Sequence, residues 1–295
     1  MGTSFQLHHD DDRKLLGNDT QQQLARWNRA RLEPRLPDEN GTWFESHEAM
    51  LQLEAAFLAV LREQVRAVAG QVPTDANGFV AWFESLERDG PGQHDPLFPW
   101  LAKKASLEQM RWYLQQEAAG EAGFDDLTAY TQVKLPARIK LELARNYWDE
   151  MGRGNEKAMH GPMLQRLVEA LDLHPTIEDT VWESLALANA MTAMATRREY
   201  AWHALGALGV IELTAPSRSA AVAEGLKRLG VSAKDSLYFD LHAVLDVKHS
   251  AAWNAEAIAP AVDEVPARAR AIAEGALIRL HCGARCFERY RGDLC

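Results

Sequence analysis

From Asp235 to Trp253 the chain reads Asp-Ser-Leu-Tyr-Phe-Asp-Leu-His-Ala-Val-Leu-Asp-Val-Lys-His-Ser-Ala-Ala-Trp, without a Gly or Pro. On a helix turning about 100° per residue, His242, Asp246 and His249 fall within roughly 40° of one another. Leu245 and Trp253 lie on or beside that stripe, so it faces inward, where two imidazoles and a carboxylate are costly to bury without a partner. A metal ion satisfies all three. The alternative is a polar helix face with two surface histidines.

The rest of the chain also reads as helix. Residues 1–40 are polar, carry His8-His9-Asp10-Asp11-Asp12, Pro34 and Pro37, and lack apolar periodicity; they predict a mobile or loosely docked arm, with 41–295 as a single helical domain. Apolar positions at helical spacing predict a long helix from Ser46 to Ala69, a shorter one around Phe79 to Leu86, and another from Ser106 to about Gly120. The last carries Glu117 on its buried stripe, with Glu121 one turn further on. Ile139 to Met151 is helical and stops at Gly152 and Gly154, directly after Glu150. His160 follows ten residues after Glu150, a spacing that places the two on different faces of a straight helix, and the glycines let the chain re-aim it. Helices are expected from Val181 to Thr196, from Glu199 to Leu208 with breaks around Gly206 and Gly209, from Pro216 to Leu229, and from Pro266 to about Tyr290. Nothing reads as a strand, a repeat or a Gly-rich phosphate loop.

Composition narrows the function. With 295 residues, 47% of them hydrophobic, the chain can bury a large core. Its 42 acidic and 32 basic side chains give a net charge of −10, which provides no electrostatic footprint for nucleic acid or an anionic membrane. No apolar run approaches the ~20 residues that span a bilayer, and the N-terminus lacks a signal-peptide pattern. Three cysteines, Cys282, Cys286 and Cys295, form no disulfide framework and suit a reducing compartment, so a cytoplasmic location is expected.

Glu117 (or Glu121), Glu150, His160, His242, Asp246 and His249 are thus six inward-facing candidates on successive helices. Helical bundles hold paired irons through inward carboxylates and histidines, with positions left open for oxygen, and the counts here suit two metals better than one. Other candidates read as structural. Cys282, Cys286 and His281 lack a fourth ligand for zinc. Arg279, Arg285 and Arg289 read as a solvated face, although one could reach a substrate carboxylate bidentately. Glu212 follows an apolar run, could point inward, and is assigned no role.

In Leu114-Gln-Gln-Glu117, in Trp148-Asp-Glu150 through His160, and in His242-x-x-x-Asp246-x-x-His249, the chain resembles the haem-oxygenase-like diiron oxidases and oxygenases over about residues 105 to 290. The resemblance implies an all-α, haem-oxygenase-like bundle of about seven core helices, with extra N-terminal helices here. It implies two Fe(II) ions as cofactors, with O₂ as co-substrate. One iron would use Glu117, His160 and His249, the other Glu150, His242 and Asp246, with a carboxylate bridging. The expected activity is O₂-dependent oxidation of a small amino-acid-like or amine metabolite, by N-oxygenation or oxidative C–C cleavage, in natural-product biosynthesis. The partners expected are that substrate and O₂, with a homodimer as the one protein assembly. The competing readings are a haem-binding protein on the same fold, which needs an axial His where Glu117 and Glu121 stand, and a non-catalytic helical module holding one structural zinc.

Overall fold

The computed structural model describes residues 14–36, 43–120 and 123–295. Among them there is no strand. The helices are α1 (Asn18–Leu32), α2 (Trp43–Ala69), α3 (Ala76–Asp89), α4 (Leu97–Lys103), α5 (Leu107–Gly120), α6 (Phe124–Thr131), α7 (Ala137–Glu150), α8 (His160–Ala170), α9 (Trp182–Thr196), α10 (Ala201–Arg228), α11 (Leu237–Trp253), α12 (Ala259–Glu264) and α13 (Arg268–Leu294). None is long and apolar enough to cross a membrane.

Local chemistry sets several of the helix starts. Asp75 accepts the N–H of Gly78 at 2.8 Å and so caps α3. Ser106 and Gln109 each bond the other's backbone N–H ahead of α5, satisfying two donors that the first turn leaves open. The Ala-rich α9 is buried almost all round, from Ser184 to Ala186 and from Asn189 to Ala195, as befits a helix with no polar face. It packs on α1, α6 and α13.

Part of the expected arm is docked. Asn18–Leu32 is helical, with Leu24 fully buried and Trp27 nearly so. Its attachment to α9 is largely polar: the Asn189 amide donates to the backbone carbonyl and side-chain oxygen of Gln21, and Asn28 donates to Asn189 at 3.0 Å. That is why apolar periodicity does not reveal it. His8 and His9 lie outside the described residues, as does Glu121.

A correction concerns the stretch from Ala201 to Arg228, where the expected breaks at Gly206, Gly209 and Pro216 are absent and one continuous helix, α10, runs through. Glycine in a helix costs about 1 kcal/mol relative to Ala, and here close packing offsets that cost. A methyl group on Gly206 would fall 1.9 Å from the carbonyl oxygen of Ile272, and one on Gly275 would fall 1.9 Å from that of His203. The backbones of α10 and α13 therefore touch where they cross. Three residues on, a methyl on Gly209 would lie 2.6 Å from Trp253 Nε1 of α11, and that indole N–H donates to the Leu205 carbonyl at 3.2 Å. Pro216 has no N–H to offer the carbonyl of Glu212, so it removes one rung of the helix without ending it.

Beside this crossing, the buried Glu274 of α13 accepts from Arg62 at 2.8 Å, Arg270 at 3.0 Å and His203 at 3.1 Å. Burial alone would raise its carboxyl, but these donors hold it at about 2, so α2, α10 and α13 meet on one ionised group.

Because the clashing partner at Gly206 is backbone, side-chain repacking cannot relieve it. Gly206→Ala should destabilise the protein by roughly 2 kcal/mol or more, read as a fall in the urea midpoint at unchanged m-value. An unchanged midpoint would mean that the helices can separate freely here.

Candidate metal centre

Glu150 is the last residue of α7, and the chain beyond it doubles back. Gly152, Arg153 and Gly154 all take left-handed backbone angles, with φ of 59°, 53° and 84°. Only glycine adopts these angles without strain. The fold-back is tight: a methyl on Gly152 would stand 2.4 Å from the carbonyl carbon of Ala158. Two short 3₁₀ turns then deliver His160 as the first residue of α8, with its Nδ1 2.7 Å from Glu150 Oε2. The sequence expectation that the glycines re-aim His160 towards Glu150 matches this geometry.

Helix α11 brings its stripe to the same point. His242 Nε2 is 3.1 Å from His160 Nδ1, and the ligand atoms of Glu150, His160 and His242 all lie within 4.8 Å of one another. A second group meeting the same measure is Glu150, Glu212 and His249. Glu150 belongs to both. His249 Nδ1 is 3.5 Å from Glu212 Oε2, and Asn146 donates to Glu212 Oε1 at 2.6 Å. Asp246 is 2% exposed and lines the same cavity.

The ring nitrogens facing away from the cluster are held. His242 Nδ1 lies 2.6 Å from the carbonyl of Tyr238, which can only accept, so the proton sits on Nδ1 and the lone pair on Nε2 points into the group. His249 Nε2 lies 3.1 Å from the carboxylate of Asp149, which leaves Nδ1 for the cluster. Arg153 in turn bonds Asp149 at 2.6 Å. Such partners orient imidazole ligands and raise their basicity.

The electrostatics suit a cation at the centre. Burial, together with Glu212 and Glu150, pushes the Asp246 carboxyl well above its ordinary range. Burial and the neighbouring His160 lower His242 to about 4, so that ring is neutral. Burial also opposes the charged form of His249, yet Glu212 and Asp149 raise it above an ordinary histidine. His249 Nδ1 is a buried atom with no hydrogen bond, and Asp246 makes no hydrogen bond among the described residues. The donors are carboxylate oxygens and imidazole nitrogens with no thiolate, a set suited to iron.

The sequence expectation differs from this arrangement in two ways. Glu117 joins neither group. It accepts from Tyr290 at 2.9 Å and is hydrogen-bonded by Tyr113 as well. Burial raises its carboxyl, opposed by the Tyr290 bond and by Arg279 and Arg218. Glu212, left without a role, stands in the second group beside Glu150 and His249. The partition changes too: His160 groups with His242 rather than with His249. Arg279, read as part of a solvated face, lines the cavity, whereas Arg285 bonds Gln64 and Arg289 pairs with Asp293. Cys282 and Cys286 are buried free thiols outside both groups.

Similarity to known proteins agrees with the architecture. A family model of the haem-oxygenase type, described as "Iron-containing redox enzyme", matches residues 111–284. No curated protein matches. Among solved structures, the chain is similar to a CADD-like protein of unknown function from Nostoc punctiforme, with a TM-score of 0.58 and 18% identity over 74% of this chain and 98% of that one. Another is a domain of unknown function with a heme oxygenase-like fold from Shewanella denitrificans, with a TM-score of 0.48 and 12% identity over 74% of this chain and 90% of that one. The family match spans more than half the sequence and includes every residue of both candidate metal groups, and the chain therefore belongs to the iron-containing redox enzymes, all-α proteins with a haem-oxygenase-like fold.

Proposed function

We propose that the protein is an O₂-dependent, non-haem diiron oxidase or oxygenase acting on a small amino-acid-like or amine metabolite, by N-oxygenation or oxidative C–C cleavage, in a biosynthetic pathway. The observation that carries this reading is the sharing of Glu150 between two three-residue donor groups, as a carboxylate bridging two metals would be shared. Glu150, His160 and His242 would hold one iron, and Glu150, Glu212 and His249 the other. Asp246, buried between carboxylates with no hydrogen bond of its own, completes the set. Two Fe(II) ions would supply the electrons and open positions that O₂ reduction needs.

The chain's own contribution is orientation. The Tyr238 carbonyl and the Asp149 carboxylate fix which nitrogen of His242 and of His249 faces the cluster. Asn146 holds Glu212 by one oxygen and leaves the other directed at His249. His160 Nδ1 and Glu150 Oε2, 2.7 Å apart, are the atoms that would bind the metal, so iron uptake should displace any proton shared between them. Phe239, Ile211 and Leu187 help to wall a cavity of about 170 Å³ that reaches Glu150, Glu212, His242 and Asp246, enough for a small metabolite.

Anaerobic titration with Fe²⁺ should saturate near two equivalents. His242→Ala, Asp246→Ala or Glu212→Ala should each remove about one, while Glu117→Ala should keep both, as judged by bound-metal analysis after gel filtration. Stoichiometric zinc in place of iron, with no iron-dependent oxygen uptake, would overturn the reading. Replacing Gly152 and Gly154 together by Ala should weaken iron binding by roughly tenfold or more, since each left-handed non-glycine residue costs about 1–2 kcal/mol. Unaltered binding in that double variant would show that the convergence of Glu150 and His160 does not depend on the glycines.

A further inference from the structure

The cavity that reaches the cluster has a second polar region. One face of α10 lines it, with Ile211, Glu212, Ala215, Arg218, Ser219 and Val222 recurring at helical spacing. At 1.5 Å per residue, Arg218 stands about 9 Å along the axis from Glu212. Arg279 reaches the same region from α13, and Glu117 from α5. Arg218 is enclosed by protein: one N–H goes to the hydroxyl of Thr214 at 2.9 Å, and its guanidinium carbon lies 5.5 Å from the centre of the Phe287 ring. Arg279 makes no hydrogen bond among the described residues, and neither arginine has a salt-bridge partner there. Even so, burial together with Arg279 lowers Arg218 only to about 10, which leaves it charged at neutral pH.

Two guanidinium groups facing one largely apolar cavity without a carboxylate in contact attract an anion that joins them. Glu117 does not neutralise both. Its carboxylate is taken up by the hydroxyls of Tyr290 and Tyr113, with Ser184 2.7 Å from Tyr290 behind them. With Glu117 held as an acceptor, the three charges sum to about +1, which one carboxylate balances and a phosphate dianion exceeds. The rest of the lining is largely apolar, with Leu114, Leu187, Met191 and Phe239 among it.

We infer that Arg218 and Arg279 form a binding site for the carboxylate of the substrate, so that an organic monocarboxylate lies along α10 with its acid group remote from the metals and its other end at the Glu150 and Glu212 cluster. This deepens the proposed function and rests on that cluster being the oxidising centre. It also makes the acid group a recognition handle rather than an iron ligand. Arg218 and Arg279 are then binding residues, and Glu117 positions them by sitting beside both.

The test is calorimetric binding of hexanoate, hexanamide, 1-hexanol and hexyl phosphate to the full-length protein, metal-free and loaded with Fe²⁺ under anaerobic conditions. Hexanoate should bind both forms with similar affinity, and at least tenfold more tightly than the amide or the alcohol. Arg218→Gln or Arg279→Gln should each weaken hexanoate by tenfold or more while retaining two bound irons. Equal binding of acid and amide by the wild-type protein would overturn the inference whether or not the variants fold. So would tighter binding of hexyl phosphate, or hexanoate binding that requires iron. Loss of iron stoichiometry in the wild-type protein would instead count against the diiron reading, and the two failures are separable because the acid-against-amide comparison is made without metal.

Discussion

The contact between the backbones of α10 and α13 sets the geometry of everything around it. Side chains normally hold helix axes 8–10 Å apart; at Gly206 and Gly275 there are none, and each helix meets a carbonyl of the other. Gly209, less than one turn further, receives the indole of Trp253 and so fixes the C-terminal end of α11 on the same helix. Helix α10 thus serves as the common rail. It carries Glu212 and Arg218 itself, and it locates both α11, with His242, Asp246 and His249, and α13, with Arg279 and Tyr290. A shift in either crossing would move donor atoms that now lie within one coordination sphere of each other.

How much of this the sequence disclosed depended on whether the signal was local. The His242, Asp246 and His249 stripe is contained in one uninterrupted helix, so its periodicity alone indicated both the element and the face. Glu150 and His160 could be joined because glycines marked the bend between them. Glu212 was different. Gly206, Gly209 and Pro216 each read as an interruption, and once α10 is divided the register linking Glu212 to its neighbours is lost. Those residues are reconciled with helix only by tertiary contact, which is not a property of a sequence window. Glu117 illustrates the converse case: it does lie on an inward face, but inward positions serve two polar regions here, and only the phenols of Tyr290 and Tyr113 distinguish them. Helix α1 escaped notice because amide groups rather than an apolar stripe secure it.

The division of labour inside the cavity follows from charge. Around Glu150, the buried carboxylates of Glu150, Glu212 and Asp246 converge with imidazole nitrogens, and a cation is wanted. Around Arg218 the reverse holds, and an anion is wanted. The two regions share one cavity but are offset along α10, so a bound molecule would be oriented before any chemistry occurs. Apolar side chains make up much of the rest of the lining and lower the local dielectric, which strengthens both preferences.

The placement of Glu150 at the very end of α7 has one more effect. The carbonyl end of a helix carries a partial negative charge equivalent to about half an electron, and here it points at a cluster already crowded with carboxylates. The joint between residues 151 and 159, wound through left-handed angles, is what holds that helix end and His160 in place. The two sides of this short hinge are joined by the 2.7 Å contact between Glu150 Oε2 and His160 Nδ1, atoms that a bound cation would draw to one centre. The order of the hinge would therefore be thermodynamically linked to metal occupancy, and the segment that shapes the site would also register whether it is filled.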